Sequence, residues 1–172
     1  MHTWRSHSSA SLFLGWLILL AMAVGGCPSK TIQYPAEHER LLRIDQAVDS
    51  LRSAYQRKDR PGFQVVMLPS DQMEDLQRQA EMDFEAFHSI ALEFMIERVV
   101  IEKDDIDVFV HWQGTWMKDA NDPGMRQRGH ARLQWVGTQS ILLRRVEGDL
   151  PFGMKTKQML SSEPLSPQNV PR

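Results

Sequence analysis

The 172-residue sequence contains a single cysteine, Cys27. One thiol closes no internal disulfide and builds no cysteine metal cluster, so a folded domain here must hold on its core alone. Net charge is also scarce, with 20 Lys and Arg against 22 Asp and Glu, a balance of −2. A chain without a basic excess lacks the electrostatic footprint of a nucleic-acid binder. Catalytic signatures are absent as well. There is no Gly-x-Ser-x-Gly elbow, no Walker loop and no Rossmann glycine pattern, so no motif calls for a nucleotide, a cofactor or a serine nucleophile. No internal repeat is visible. Long apolar runs are limited to one, at 11–24.

That run follows a polar start carrying Arg5, His2 and His7 and no acidic residue. A basic start, an apolar stretch of about 7–15 residues and small residues at its end describe a secretory signal. The run is short of the roughly 20 apolar residues a spanning helix needs. Its end, Val24-Gly25-Gly26-Cys27, resembles the bacterial lipobox. The resemblance implies acylation of the Cys27 thiol, cleavage before it and acylation of the new N-terminus, and more than one chain makes such an anchor stable. Residues 1–26 are then a signal peptide and 27–35 a tether, membrane lipid is a partner through Cys27, and no thiol is left to act as a nucleophile. Pro28 in place of Asp implies an envelope location on the outer membrane, facing the periplasm.

Beyond the tether the apolar period is first helical. Leu41, Ile44, Val48, Leu51 and Tyr55 recur at three- and four-residue steps over 36–57, one stripe of an amphipathic helix. Lys58-Asp59-Arg60-Pro61-Gly62 ends it, and 63–68 offers a short helical turn. Ser70-Asp71 provides an N-cap for a second stripe, Met73, Leu76, Ala80, Phe84 and Phe87. The period then shortens to two. Leu92, Phe94 and Ile96 alternate with Glu93, Met95 and Glu97, and Ile106, Val108, Val110, Trp112 and Trp116 alternate with Asp107, Phe109, His111, Gln113, Thr115 and Met117. Segments 126–136 and 139–146 read as two further strands, joined at Gly137-Thr138 by a two-residue turn. Helices followed by four antiparallel strands predict an α+β domain over 36–153, with the N-terminal helices against a curved sheet. Segment 154–172, poor in large apolar residues, reads as a disordered tail.

The segments LRSAYQRKDRPGFQVVMLPS (51–70) and GHARLQWVGTQSILLRRVEGDLPFG (129–153) resemble the nuclear-transport-factor-2-like superfamily. That resemblance implies a cone-shaped α+β fold whose sheet curls about the helices. In enzymatic members the cone encloses a cavity in which carboxylates or histidines act as acid or base. It also implies association of two copies through the outer sheet face.

Candidate site residues follow from the alternation. Asp107, His111, Gln113 and Thr115 share one strand face, and Arg126, Arg128, His130, Arg132 and Gln134 share one face of the next strand. Paired, these strands bring His111 and His130 together beside Arg128 and Arg132, a face suited to an anion or an acidic partner. Two histidines fall short of the three protein ligands of a catalytic zinc. Asp107 offers a third, but no metal centre is expected. Glu93 and Glu97 read as an exposed strand face. The tryptophans beyond the signal, Trp112, Trp116 and Trp135, read as core or as the lining of a pocket for an apolar ligand. Two functional classes follow. The first is an anchored, non-enzymatic domain binding an envelope protein or a small ligand. The second is a small isomerase, lyase or hydrolase with Asp107, His111 or His130 as acid or base.

Overall fold

The computed structural model describes residues 35–162. The apolar run, Cys27 and the tether lie outside the described residues apart from Pro35. The element order is α1 (Pro35–Gln56), α2 (Arg60–Val65), α3 (Asp71–Ala86), β1 (Ser89–Glu102), β2 (Asp105–Met117), β3 (Met125–Val136), β4 (Leu142–Gly148) and α4 (Met154–Ser162).

Local chemistry sets the helix ends. At the C-terminus of α1, Asp59 N–H donates to Ala54 O at 2.9 Å and Lys58 N–H to Tyr55 O at 3.1 Å. This is the paired bonding of a Schellman close, and it holds Lys58 in the left-handed region at φ 57°. The Asp59 carboxylate then caps α2, accepting from Gly62 N–H at 3.0 Å. A Cβ on Gly62 would stand 2.3 Å from that carboxylate, so the cap requires glycine there. Ser70 caps α3, its hydroxyl accepting from Met73 N–H.

The four strands form one antiparallel meander in the order β1-β2-β3-β4. Their inner face buries Leu92, Ile106, Val108, Val110, Trp112, Trp116, Leu133 and Trp135 against Ile44, Val48, Leu51 and Tyr55 of α1 and Met73, Leu76, Ala80 and Phe84 of α3. Leu41, the first residue of the expected α1 stripe, is largely exposed. Arg40 and Arg43 of α1 reach the ends of the sheet, donating to Lys103 O in the β1–β2 turn and to Thr138 O in the β3–β4 loop. The free edge of β4 is covered by the segment after α2. Leu68 N–H donates to Leu143 O and Leu143 N–H to Val66 O, both at 2.8 Å, which occupies backbone groups that would otherwise template aggregation.

Two expectations are corrected. Gly137-Thr138 is not a two-residue turn. Val136 pairs with Leu142, so five residues connect the strands, and Gly137, at φ 117°, donates to Asp104 O of the neighbouring turn. Nor is the expected tail structureless over its described part, because Met154–Ser162 is helical and Met154 is buried in the core; 163–172 lie outside the described residues.

The reason for that helix is Asp83, the buried charged residue of α3. Its carboxylate accepts from Gly153 N–H at 2.7 Å, Met154 N–H at 3.1 Å and Lys155 N–H at 2.7 Å. These are donors at the start of α4 that no intrahelical partner can satisfy, and the negative charge suits a helix N-terminus. Tyr55 Oη–H donates to the same carboxylate at 2.5 Å, and Trp116 Nε1–H donates to Tyr55 Oη at 2.9 Å. Burial, together with the Asp83 charge, pushes the Tyr55 phenol well above its ordinary pKa.

Replacing Asp83 with Ala strands three backbone donors and the phenol, each at about 1–3 kcal/mol when left buried and unpaired. With partial relaxation, Asp83→Ala is expected to lower the unfolding free energy by about 3–5 kcal/mol in urea titration. Amide exchange at 153–155 should accelerate most. Tyr55 supplies a second check. Its folded pKa is raised, so its contribution to stability is complete below the unfolded value of about 10 and is lost as pH climbs above it. Tyr55→Phe should therefore flatten the alkaline loss of stability, read as urea midpoints on either side of about pH 10.

Candidate functional site

The antiparallel register divides the candidate residues between two environments. Trp112, Trp116 and Trp135 point inward and are at most 2 % exposed. Trp112 and Trp116 meet edge to face at 6.2 Å between centroids. Beside them the Tyr55 ring touches Phe63, Phe84 and Phe152 at 4.8–5.9 Å. Trp112 Nε1–H donates to Asp149 O at 2.8 Å, whereas Trp135 Nε1–H has no hydrogen-bond partner among the described residues. The three tryptophans are core residues, and Trp116 also lines a depression at the end of β2. Between helices and sheet their rings pack with those of Phe63, Phe84, Phe87 and Phe152. The depression at the end of β2 is lined by Phe87, Trp116, Lys118, Asp119 and Asp122.

The polar candidates share the outer face. His111 and His130 are register partners in the two central strands. His111 Nδ1 stands 3.3 Å from His130 Nε2, and the rings meet at 4.7 Å between centroids. Asp107 does not join them. It pairs with Arg132, Oδ2 to Nη2 at 2.6 Å, and that hydrogen bond, with the guanidinium charge, holds the Asp107 carboxyl below its ordinary range. Arg132 also reaches Glu147 at 3.4 Å. Arg144 pairs with Asp105 at 2.7 Å and Arg145 with Glu147 at 3.1 Å. Of the guanidiniums on β3 and β4, Arg132, Arg144 and Arg145 are thus paired with acidic neighbours.

Arg126 and Arg128 are the exception, with no ion pair to another described residue. They line a depression of about 590 Å³ with Glu93, Gln113, Gly114 and Thr115. Glu93 accepts there from Gln113 Nε2 at 2.6 Å. His38 and His88 are exposed on α1 and after α3, away from this face.

Two residues take roles that the sequence pattern alone did not assign. Glu97 is the extra residue of a β-bulge, because pairing runs from Ile96↔Val110 directly to Arg98↔Phe109. A bulge re-aims side chains. Here it sends the Glu97 carboxylate to His130, Oε1 to Nδ1 at 3.4 Å, and places the Arg98 guanidinium 4.1 Å over the Phe109 ring. Asp83 is the other. The signal for it was its place on the apolar stripe of α3, three residues after Ala80.

Comparison with solved structures identifies the architecture. A conserved protein from Planctomyces limnophilus superposes with a TM-score of 0.55 at 16 % identity, over 65 % of this chain and 99 % of that one. A nuclear transport factor 2 (NTF2-like) superfamily protein from Salmonella enterica gives 0.55 at 9 % identity, over 64 % and 89 %. A protein from Streptomyces avermitilis described as a putative dehydratase from the NTF2-like family gives 0.54 at 12 % identity, over 66 % and 99 %. No family model matches the sequence, and no curated protein matches it. The fold is the NTF2-like α+β cone: helices, then a four-stranded curved antiparallel sheet.

The packed interior makes a paired prediction. Trp112→Phe and Trp135→Phe leave similar voids, but only the first removes a hydrogen bond and strands a carbonyl. Trp112→Phe should cost about 1 kcal/mol more than Trp135→Phe by chemical denaturation. An equal loss would mean that the Asp149 bond contributes nothing.

Proposed function

We propose that this chain is a lipid-anchored, non-catalytic binding domain of the bacterial cell envelope. Cys27 carries the anchor, and the outer sheet face recognises an envelope partner. The observation that supports the non-catalytic reading is where the titratable groups stand. Acid–base catalysis in a cone needs a carboxylate or imidazole inside it, within reach of substrate. Asp107, His111 and His130 lie on the outer face. The carboxylate that is inside, Asp83, already accepts four hydrogen bonds. Trp112, Trp116 and Trp135 belong to the core.

Recognition centres on Arg126 and Arg128. Two guanidiniums at one depression, beside the amide of Gln113 and the hydroxyl of Thr115, suit a carboxylate or phosphate presented by a partner. A second copy of the chain would approach through this same outer face. Anchoring is supported by the sequence of the signal and lipobox, Val24-Gly25-Gly26-Cys27.

Intact mass of the protein from a membrane fraction tests the anchor. Wild type is expected to lack residues 1–26 and to carry a lipid-sized mass increase, and Cys27→Ser to carry neither change. A full-length, unmodified wild-type chain overturns the anchor.

A further inference from the structure

The geometry points to a divalent-metal site on the outer sheet face, with His111 Nδ1 and His130 Nε2 as nitrogen ligands and Glu97 as the carboxylate that orients His130, for an ion of the zinc class. This goes beyond the binding role proposed above and does not depend on it.

One donor atom from each of the three side chains lies within 4.8 Å of the other two. The two imidazoles are the stricter part. With metal–nitrogen bonds of about 2.0–2.1 Å, two ligands of a tetrahedron stand about 3.3–3.4 Å apart. His111 Nδ1 and His130 Nε2 are 3.3 Å apart. That spacing serves a hydrogen bond between the two rings, and it also matches the edge of the tetrahedron.

The backbone holds this pair in place. β2 and β3 are the central strands of the sheet, so each histidine sits on a strand hydrogen-bonded along both sides. A chelate on paired strands loses little freedom when an ion binds. The third group arrives by a separate device. Regular alternation along β1 would set residue 97 opposite Phe109. The bulge instead gives Phe109 to Arg98 and turns Glu97 to His130. A carboxylate on one ring nitrogen of a histidine fixes its tautomer and raises the basicity of the other, as around metal-bound imidazoles generally.

The surroundings tolerate a cation. Arg132, the guanidinium that follows His130 on the same face, is engaged by Asp107 and Glu147, and Arg98 lies over Phe109. Two neutral imidazoles favour a borderline divalent ion such as Zn²⁺ over Mg²⁺ or Ca²⁺, which prefer all-oxygen sets. Half-exposed His111 and exposed His130 and Glu97 leave the remaining coordination positions to water or to a donor from a partner.

The test is a calorimetric titration of the full chain with ZnCl₂, beside variants at the three residues. Wild type is expected to take up one Zn²⁺. His111→Ala and His130→Ala should lose that binding, and Glu97→Gln should weaken it about 10–100-fold. His38→Ala and His88→Ala should leave it unchanged. Thermal melts in the presence of a chelator keep the comparison fair, because the three side chains lie outside the core and their removal should leave the metal-free melt as in wild type. The proposal is overturned if wild type takes up no zinc, or if the His111→Ala/His130→Ala double variant binds it as tightly as wild type.

Discussion

Asp83 is the group on which the rest of the architecture depends. A carboxylate removed from water is costly unless its lone pairs are met by donors. Here they are met by three backbone amides at the start of the C-terminal helix and by one phenol. Each donor comes from a different part of the chain from the acceptor. Tyr55 belongs to α1, the amides to α4, and Trp116 extends the network to β2 through the phenol oxygen. One buried charge therefore fixes the mutual position of three helices and a strand. The aromatic rings of Phe63, Phe84 and Phe152 around Tyr55 keep water from competing for it.

NTF2-like folds curl a sheet about helices, and in this chain indole and phenyl rings pack between the two. On the outside of the sheet, side chains of alternate parity emerge. The outer face is not a uniform charged surface. Ion pairs neutralise Arg132, Arg144 and Arg145. Two distinct patches remain, the Arg126–Arg128 depression and the His111–His130–Glu97 cluster.

Much of the outer-face site was legible in the sequence, because a period of two assigns parity without any knowledge of partners. That Asp107, His111 and Gln113 share a face, and that Arg128, His130 and Arg132 share another, needed only the alternation. That His111 meets His130 needed the register. Glu97 was illegible for a different reason. A bulge adds one residue, and a single extra residue does not disturb the composition of the strand around it. Asp107 looked like the nearer third ligand until its carboxylate was found on Arg132. Segment 154–162 misled because its composition is polar. It folds because Asp83, about 70 residues earlier in the chain, supplies an acceptor for the helix start.

The sequence by itself determined the order of helices and strands, the face on which each candidate side chain emerges and the absence of a disulfide. These follow from local periodicity and from residue chemistry. Only the tertiary structure decided that the three tryptophans are core residues, that Asp83 ties α4 to the core and that Glu97 joins the two histidines. Each of those depends on contacts between segments far apart in the chain, whose register no local pattern encodes.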